Sequence, residues 1–495
     1  MPVFVFAQKK DITQQFLSGV TAAGLKAKLS IIAGPDMEGR ETATAGQKKA
    51  ALYIENYFRQ LGLQAGAADG YQLFFPAYQD SITNSFLIVN GKKLIVNNDY
   101  TVNASYLIND EWSSDSIVFA SFGIMDSSSS DFKNLTVKNK WVLIAEGSVA
   151  DTNKTSGFVS YSSKNPASDL MKISWAKNHG AAGVLIAAKD FPKNKPAAQK
   201  GNIYQKKINI KNIPVFYISL QTASGILNKP LQSFSELKKI DKGMYAVQLS
   251  ADIAVTTLNL QSSNVIGLLP GTDKKDEYVL ITAHYDHLGK KDSVIWFGAD
   301  DDGSGTASVL EIAEAFANAR EKGHVPRRTI VFMTVSGEEE GLWGSEYYTL
   351  HPLFPLDKTS VDLNIDMVGR IDPKRENKDS MNYVYLIGED KLSTDLMKIS
   401  DSINSKYTHL DLDRKYNDPK DPERFYYRSD HYNFAKKGVP VIFYFNGTHA
   451  DYHKPTDTVD KINFDVMEKR VRLIFCTAWA IANREEMLKR DIPLK

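Results

Sequence analysis

The chain has 495 residues, with 60 Lys and Arg against 59 Asp and Glu, a net charge of +1 and a hydrophobic share of 43%. Its length exceeds one ordinary core, so two domains or one large domain with an insertion is expected, and the balanced charge excludes a nucleic-acid partner that depends on bulk positive charge. No apolar run approaches the roughly 18 residues of a membrane span, and the single Cys476, inside an apolar helical stretch, excludes a disulfide framework and a cysteine-built zinc site.

Taken in order, residues 2–7 are apolar and small-residue Ala7 precedes Lys9 and Lys10, like the tail of a leader peptide at its cleavage site, so export to the periplasm or medium is expected. Residues 25–64 read as two helices. In the second, Ile54, Tyr57, Phe58 and Leu61 share a face and Gly62 stands where a helix stops. The loop between them, 34–40, carries carboxylates that a solvated turn explains. From about 71 to 110 short β-like runs appear, among them 85–89 followed by Asn90-Gly91, a hairpin signal. Residues 112–250 differ again: strands at 141–145, 183–187 and 213–218, and a helix at 168–178 whose terminal His179 suits the helix dipole. That segment carries no catalytic constellation and reads as an inserted binding or lid module.

Beyond it the pattern turns α/β. Apolar runs at 264–269, 278–283, 329–335, 361–365 and 439–445 read as strands, and residues 306–320 place Val309, Ile312, Ala313 and Phe316 on one helical face. The run 278–283 stops at His284, Asp286 and His287, and Asp300, Asp301 and Asp302 follow in a Gly-flanked turn. The next strands end at Glu338 with Glu339 and at Asp366, and the last leads to Tyr452 and His453. One strand ending in a carboxylate carries no information. Four such strands side by side in a parallel sheet would bring these groups to one rim, where open α/β sheets bind ligands. Two imidazoles and several carboxylates suit a borderline-hard divalent metal, zinc above all, when no thiolate is present. Five ligands exceed what one four-coordinate ion with an open position uses, and one shared carboxylate would let them hold two ions about 3.5–4 Å apart with water between. Spacing alone does not separate Asp300, Asp301 and Asp302. Glu338 and Glu339 can divide labour, one on metal and one as general base, against the plainer reading of an acidic helix start.

The motifs A-H-Y-D-H-L-G, G-A-D-D-D-G-S-G, S-G-E-E-E-G-L-W-G-S, N-I-D-M-V-G and D-Y-H-K-P-T-D-T, in this order, resemble the dizinc exopeptidase family of secreted bacterial aminopeptidases, whose relatives include glutamate carboxypeptidase II and the transferrin receptor. The likeness covers residues 25–64 and 260–485. W-V-L-I-A-E-G, A-K-N-H-G-A-A-G-V-L-I and N-I-P-V-F-Y-I-S are similar to the protease-associated domain that interrupts many members. The resemblance implies an α/β fold with a mixed, mostly parallel sheet flanked by helices and a β-rich protease-associated insertion. Residues 1–20 would be a leader remnant and tail, 21–111 and 251–495 the catalytic domain, and 112–250 the insert. It further implies two Zn2+ ions, one on His284, Asp301 and Asp366, the other on Glu339 and His453, with Asp301 bridging and a cis peptide between Asp301 and Asp302. Glu338 would be the general base acting on a metal-bridging hydroxide, Asp286 the carboxylate that orients His284, and Tyr452 the oxyanion partner.

Among the other residues, His287 reads as packed or supporting, His324, His351 and His409 as surface, and His431 with Asp430 as pocket or structural. His449 stands near enough to His453 to reach the pocket, and Arg428 reads as a substrate-carboxylate contact or a structural ion pair. The expected function is zinc-dependent aminopeptidase action on peptides. A carboxypeptidase or N-acyl amino-acid hydrolase on the same site competes with it, as does, from another class, a noncatalytic receptor-like peptide-binding protein. Side-chain preference and oligomeric state stay open.

Overall fold

The computed structural model describes residues 12–125, 130–148, 167–205, 212–375 and 379–493; the apolar start at 2–7 lies outside them. Two compact units form, Met1–Pro76 with Gln261–Lys495, and Ala77–Leu260.

The first unit is built on four adjacent parallel strands in the order Val441–Phe445, Thr359–Ile365, Lys274–His284, Arg328–Val335. The other three strands are buried along their whole length, as are the last six residues of Lys274–His284. Parallel strands covered on both faces read as continuous apolar runs for this reason. Residues 265–269 add antiparallel to Arg328–Val335 at one edge, and Tyr383–Ile387 adds antiparallel to Val441–Phe445 at the other, with Asp411–Asp413 beyond it. Alternate side chains go to opposite faces. Val279, Ile281, Phe332 and Leu363 pack on one side with residues of the helices Ala22–Ile32, Ala45–Gln60, Gly305–Glu321 and Phe464–Asn483, and Cys476 is buried there as expected. Leu280, Val331 and Met333 pack on the other with Tyr348 of Trp343–Leu350 and Phe434 of His431–Ala435. Among the described residues no helix is long and apolar enough to cross a membrane.

One feature of this order places the site. From Lys274–His284 the chain crosses through Gly305–Glu321 to Arg328–Val335 on one side, then through Trp343–Leu350 to Thr359–Ile365 on the other. The strand order reverses at Lys274–His284, and a crevice opens at the carboxyl ends of strands where that happens.

In the second unit Asp110–Phe119, Trp141–Ala145, Gly183–Ala187 and Val215–Ile218 run parallel, flanked antiparallel by residues 243–253 and Tyr100–Val102. The helices Asp169–Asn178, capped by the Ser168 hydroxyl, and Leu220–Leu227 accompany it. His179 closes the first, its Nδ1 2.9 Å from the Trp175 carbonyl. The hairpin expected at Asn90-Gly91 forms, with both residues at positive φ and Ile88 opposite Lys93. Residues 77–111, expected with the first part of the catalytic domain, pair within this unit instead: Tyr78 lies opposite Tyr204, and Tyr100 opposite Ile218.

Candidate metal centre

His284 closes its strand, Asp366 follows Ile365 directly, and Glu338 and Glu339 sit three and four residues past Val335 in a turn. That turn is not an acidic helix start: the Glu338 carbonyl accepts from the amides of Gly341 and Leu342, and the helix begins only at Trp343. The aspartate triplet, undivided by spacing, is divided by hydrogen bonding. Asp300 accepts from the Gly369 amide at 2.7 Å and from Asn446 Nδ2 at 3.1 Å, and faces His449 Nε2 at 3.1 Å, which ties His449 to this loop. Asp302 accepts from the amides of His284 at 3.2 Å, Gly305 at 2.8 Å and Met367 at 3.1 Å. The peptide between Asp301 and Asp302 is cis, as expected.

Asp301 is left facing the imidazoles. Its Oδ1 lies 3.3 Å from His284 Nε2 and its Oδ2 3.1 Å from His453 Nε2. His284 Nε2 is also 3.6 Å from Asp366 Oδ1, and His453 Nε2 is 3.2 Å from Glu339 Oε2. Donors about 2.0–2.2 Å from a tetrahedral zinc stand roughly 3.3–3.6 Å apart, so these separations have the scale of ligand–ligand edges. One carboxylate thus offers an oxygen to each of two donor groups.

His287, expected as packed or supporting, is brought to the second group. It is fully buried, with Nδ1 2.7 Å from Glu339 Oε1 and 4.0 Å from Asp301 Oδ2. Proximity here is not pairing: His287 Nδ1 and Nε2, Asp301 Oδ2 and Glu339 Oε1 are buried without an aligned hydrogen-bond partner among the described residues. A buried polar atom left so costs about 1–3 kcal/mol. Donors that crowd together without bonding one another fit a shared cation, and His284, Asp301 and Asp366, with His287, Asp301 and Glu339, form two sets that could each hold one.

The charges are strongly coupled. Burial pushes His284 down, but Glu338 and Asp366 outweigh it and hold the imidazole well above its usual range. For His453 burial likewise opposes, and Asp301 with Glu339 raises it to about 10. Burial would raise Asp301, yet the nearby His284 and His453 imidazoles keep it well below the carboxylate range. Glu338 goes the other way: burial, then repulsion from Glu339 and Asp366, pushes it well up against the pull of His284. Carboxyls shifted in this manner gather at sites of proton transfer.

Asp286 sits under the centre. His284 Nδ1 is 3.2 Å from the Asp286 main-chain carbonyl and 3.7 Å from its carboxylate, which instead accepts from the Glu338 amide at 3.3 Å and Thr42 Oγ1 at 2.7 Å. The carbonyl is nearer because only Tyr285 separates the two residues where the strand ends. Glu338, Asp301, Asp366, Tyr452 and Arg428 line one cavity with Phe425, Phe443 and Phe445. Arg428 Nη2 donates to the Tyr452 hydroxyl at 3.4 Å, and its nearest acid, Glu423, is 3.9 Å away. His431 is buried and stacked on Phe443.

Residues 264–478 match the description of Peptidase family M28. In sequence the chain is 28% identical over 262 residues to a probable zinc metalloprotease of Pyrenophora tritici-repentis, across 46% of this chain and 52% of that protein. It is 29% identical over 227 residues to a probable leucine aminopeptidase of Arthroderma otae, across 44% of this chain and 57% of that protein. The chain spans about half the length of these curated relatives. In fold it is similar to the aminopeptidase from Aneurinibacillus sp. strain AM-1, with a TM-score of 0.54 and 19% identity over 98% of this chain and 100% of that one.

Proposed function

We propose that this chain, whose residues 264–478 match peptidase family M28, is a zinc-dependent exopeptidase that removes N-terminal residues from peptides. His284, Asp301 and Asp366 would hold one Zn2+, and Asp301, Glu339 and His453 the other. The observation that supports this most directly is Asp301, whose two oxygens face different histidines at 3.3 and 3.1 Å. When bound, a zinc pair supplies an acidified water and a Lewis acid for the peptide carbonyl.

The chain's own groups divide the remaining work. Glu338 lines the cavity with a carboxyl lifted by burial and its acid neighbours, suited to take a proton from the attacking water and return it to the leaving amine. The Asp286 carboxylate holds the Glu338 amide, and its carbonyl holds the His284 ring, so base and ligand share one support. Tyr452 is kept protonated by burial and the Asp301 charge, which leaves its hydroxyl free to donate to a developing oxyanion. Phe425, Phe443 and Phe445 offer an apolar wall for a side chain. Export, and a protease-associated role for the unit of residues 77–260, accompany this reading as proposals.

Arg428 on the same cavity favours one second reading, a carboxypeptidase or N-acyl amino-acid hydrolase that fixes a substrate carboxylate. Unblocked aminoacyl amides and N-blocked peptides, assayed with zinc and with a chelator, separate the cases. Release from unblocked substrates only, lost with chelator and restored by zinc, is expected. Turnover confined to N-blocked substrates moves the assignment to the second reading, and no turnover with zinc present leaves a noncatalytic peptide-binding protein.

A further inference from the structure

We infer that Arg40, with Thr42, is a positioning group for the cation pair: a buried guanidinium that sets the spacing between the strand end and following loop that bear His284 and His287 and the turn bearing Asp301. Residues 34–40 read from sequence as a solvated turn, and Asp36 is exposed, but Arg40 has 0% exposure. Its Nε donates to the Tyr285 carbonyl at 2.7 Å, Nη1 to those of Ile32 and Phe297 at 2.8 Å each, and Nη2 to that of Gly298 at 2.9 Å. Tyr285 lies between His284 and Asp286, and Gly298 lies just ahead of the aspartate triplet. One rigid planar group therefore spans both ligand-bearing segments, and a planar fork fixes relative position in a way a flexible ammonium does not.

The backbone around it makes the same connection. The His287 amide donates to the Arg40 carbonyl at 3.3 Å, and the Gly289 amide to the Gly39 carbonyl at 3.0 Å. Gly39 has φ +70, and a Cβ there would overlap the carbonyl oxygens of Gly289 and Trp296, so only glycine permits this approach. Thr42 adds the third tie through its hydroxyl to Asp286 Oδ2. The guanidinium also brings a fixed positive charge close to Asp286, Asp302, Asp301 and Asp457.

The inference rests on the cation pair proposed above, and its test reads ion uptake rather than turnover. Chelator-treated full-length protein is titrated with Zn2+ by calorimetry and with Co2+ by visible absorption, for the wild type, Arg40→Lys and Thr42→Val. Arg40→Lys keeps the charge and loses the fork, and Thr42→Val removes one hydroxyl at nearly constant volume. The wild type is expected to take up two ions, and the variants, with unchanged circular dichroism, to bind them about 10- to 100-fold more weakly with an altered Co2+ band. Two ions in the wild type with isotherms and spectra unchanged in both variants overturns the positioning role alone. Fewer than two in the wild type overturns the cation pair and this inference with it. Should Arg40→Lys not fold, Thr42→Val decides: weakened uptake supports the role and unchanged uptake overturns it.

Discussion

The two donor groups share Asp301 and are otherwise built on different principles. His284 and Asp366 stand at the ends of neighbouring strands, with side-chain exposures of 1% and 10%, so sheet register alone brings them together. His287, Glu339 and His453 come from turns; His453 is 38% exposed and sits at φ 55, a backbone region that costs a non-glycine residue energy. A donor set at strand ends inherits the rigidity of the core. A donor set on loops needs other groups to hold it, and it is where ion affinity and solvent access can be adjusted.

Glu338 reaches toward the first group, with Oε2 3.9 Å from His284 Nε2, and borders the cavity rather than closing either donor set. Glu338→Gln should therefore leave uptake of two zinc ions intact while lowering turnover about 10²- to 10⁴-fold, the usual worth of a general base. Turnover and bound zinc measured on one preparation check this. Loss of an ion together with turnover would move Glu338 into a donor set and blur the division between the two.

His453→Ala is the next largest effect and acts on the loop-built side only. The variant should retain an ion on His284, Asp301 and Asp366 and release the other to a weak chelator that leaves the wild type loaded. Zinc per chain after dialysis reads it directly. Retention of both ions would pass the role of His453 to His287, and release of both would show that the strand-built set does not stand alone.

Much of this is legible in the sequence. The run 329–335 is almost wholly apolar because both faces of its strand are covered, whereas 361–365 sets Val, Leu and Ile between the buried Asp362 and Asn364 and leads directly to Asp366. What stayed hidden depended on contacts distant in sequence. Asp300, Asp301 and Asp302 are chemically equal in the chain and become distinct only through Gly369, Asn446, His284 and Met367. Arg40 sits in a polar, glycine-containing turn, and nothing local says that its guanidinium is buried. The short runs at 77–111 fit either unit until their partners near 204 and 218 are known. His287 stands in H-Y-D-H, but only the fold shows that it comes within 2.7 Å of Glu339.

The smallest predicted effect tests a feature that only the strand-built side has, a buried polar chain running from Asp366 into the sheet. Ser429 Oγ donates to Asp366 Oδ2 at 2.7 Å, and Asn364 Nδ2 donates to Ser429 Oγ at 2.9 Å. Thr282 Oγ1 lies 3.0 Å from Asn364 Oδ1 and 2.7 Å from Asp362 Oδ1. A hydroxyl has one proton to give. If Thr282 donates to Asn364, Asp362 must donate to Thr282, and burial does push the Asp362 carboxyl up from 3.8 to about 8. The sign follows from proton counts. Between about pH 4 and 8 the unfolded chain has released this proton while the folded chain keeps it, so Asp362 makes stability fall as pH rises through that window and adds no slope outside it. Asp362→Asn keeps the donor to Thr282 and removes the titration. Unfolding free energies of chelator-treated wild type and variant should therefore nearly coincide near pH 4 and separate toward pH 8, with the variant higher by an amount on the order of a few kcal/mol. Asp457, raised to about 6, adds the same slope to both proteins and cancels in the difference, whereas Asp430, raised to about 7, repels the Asp362 carboxylate and is relieved of that repulsion in the variant. An offset independent of pH would mean that Asp362 is ionised in the fold and that the chain behind Asp366 carries its protons in the opposite direction.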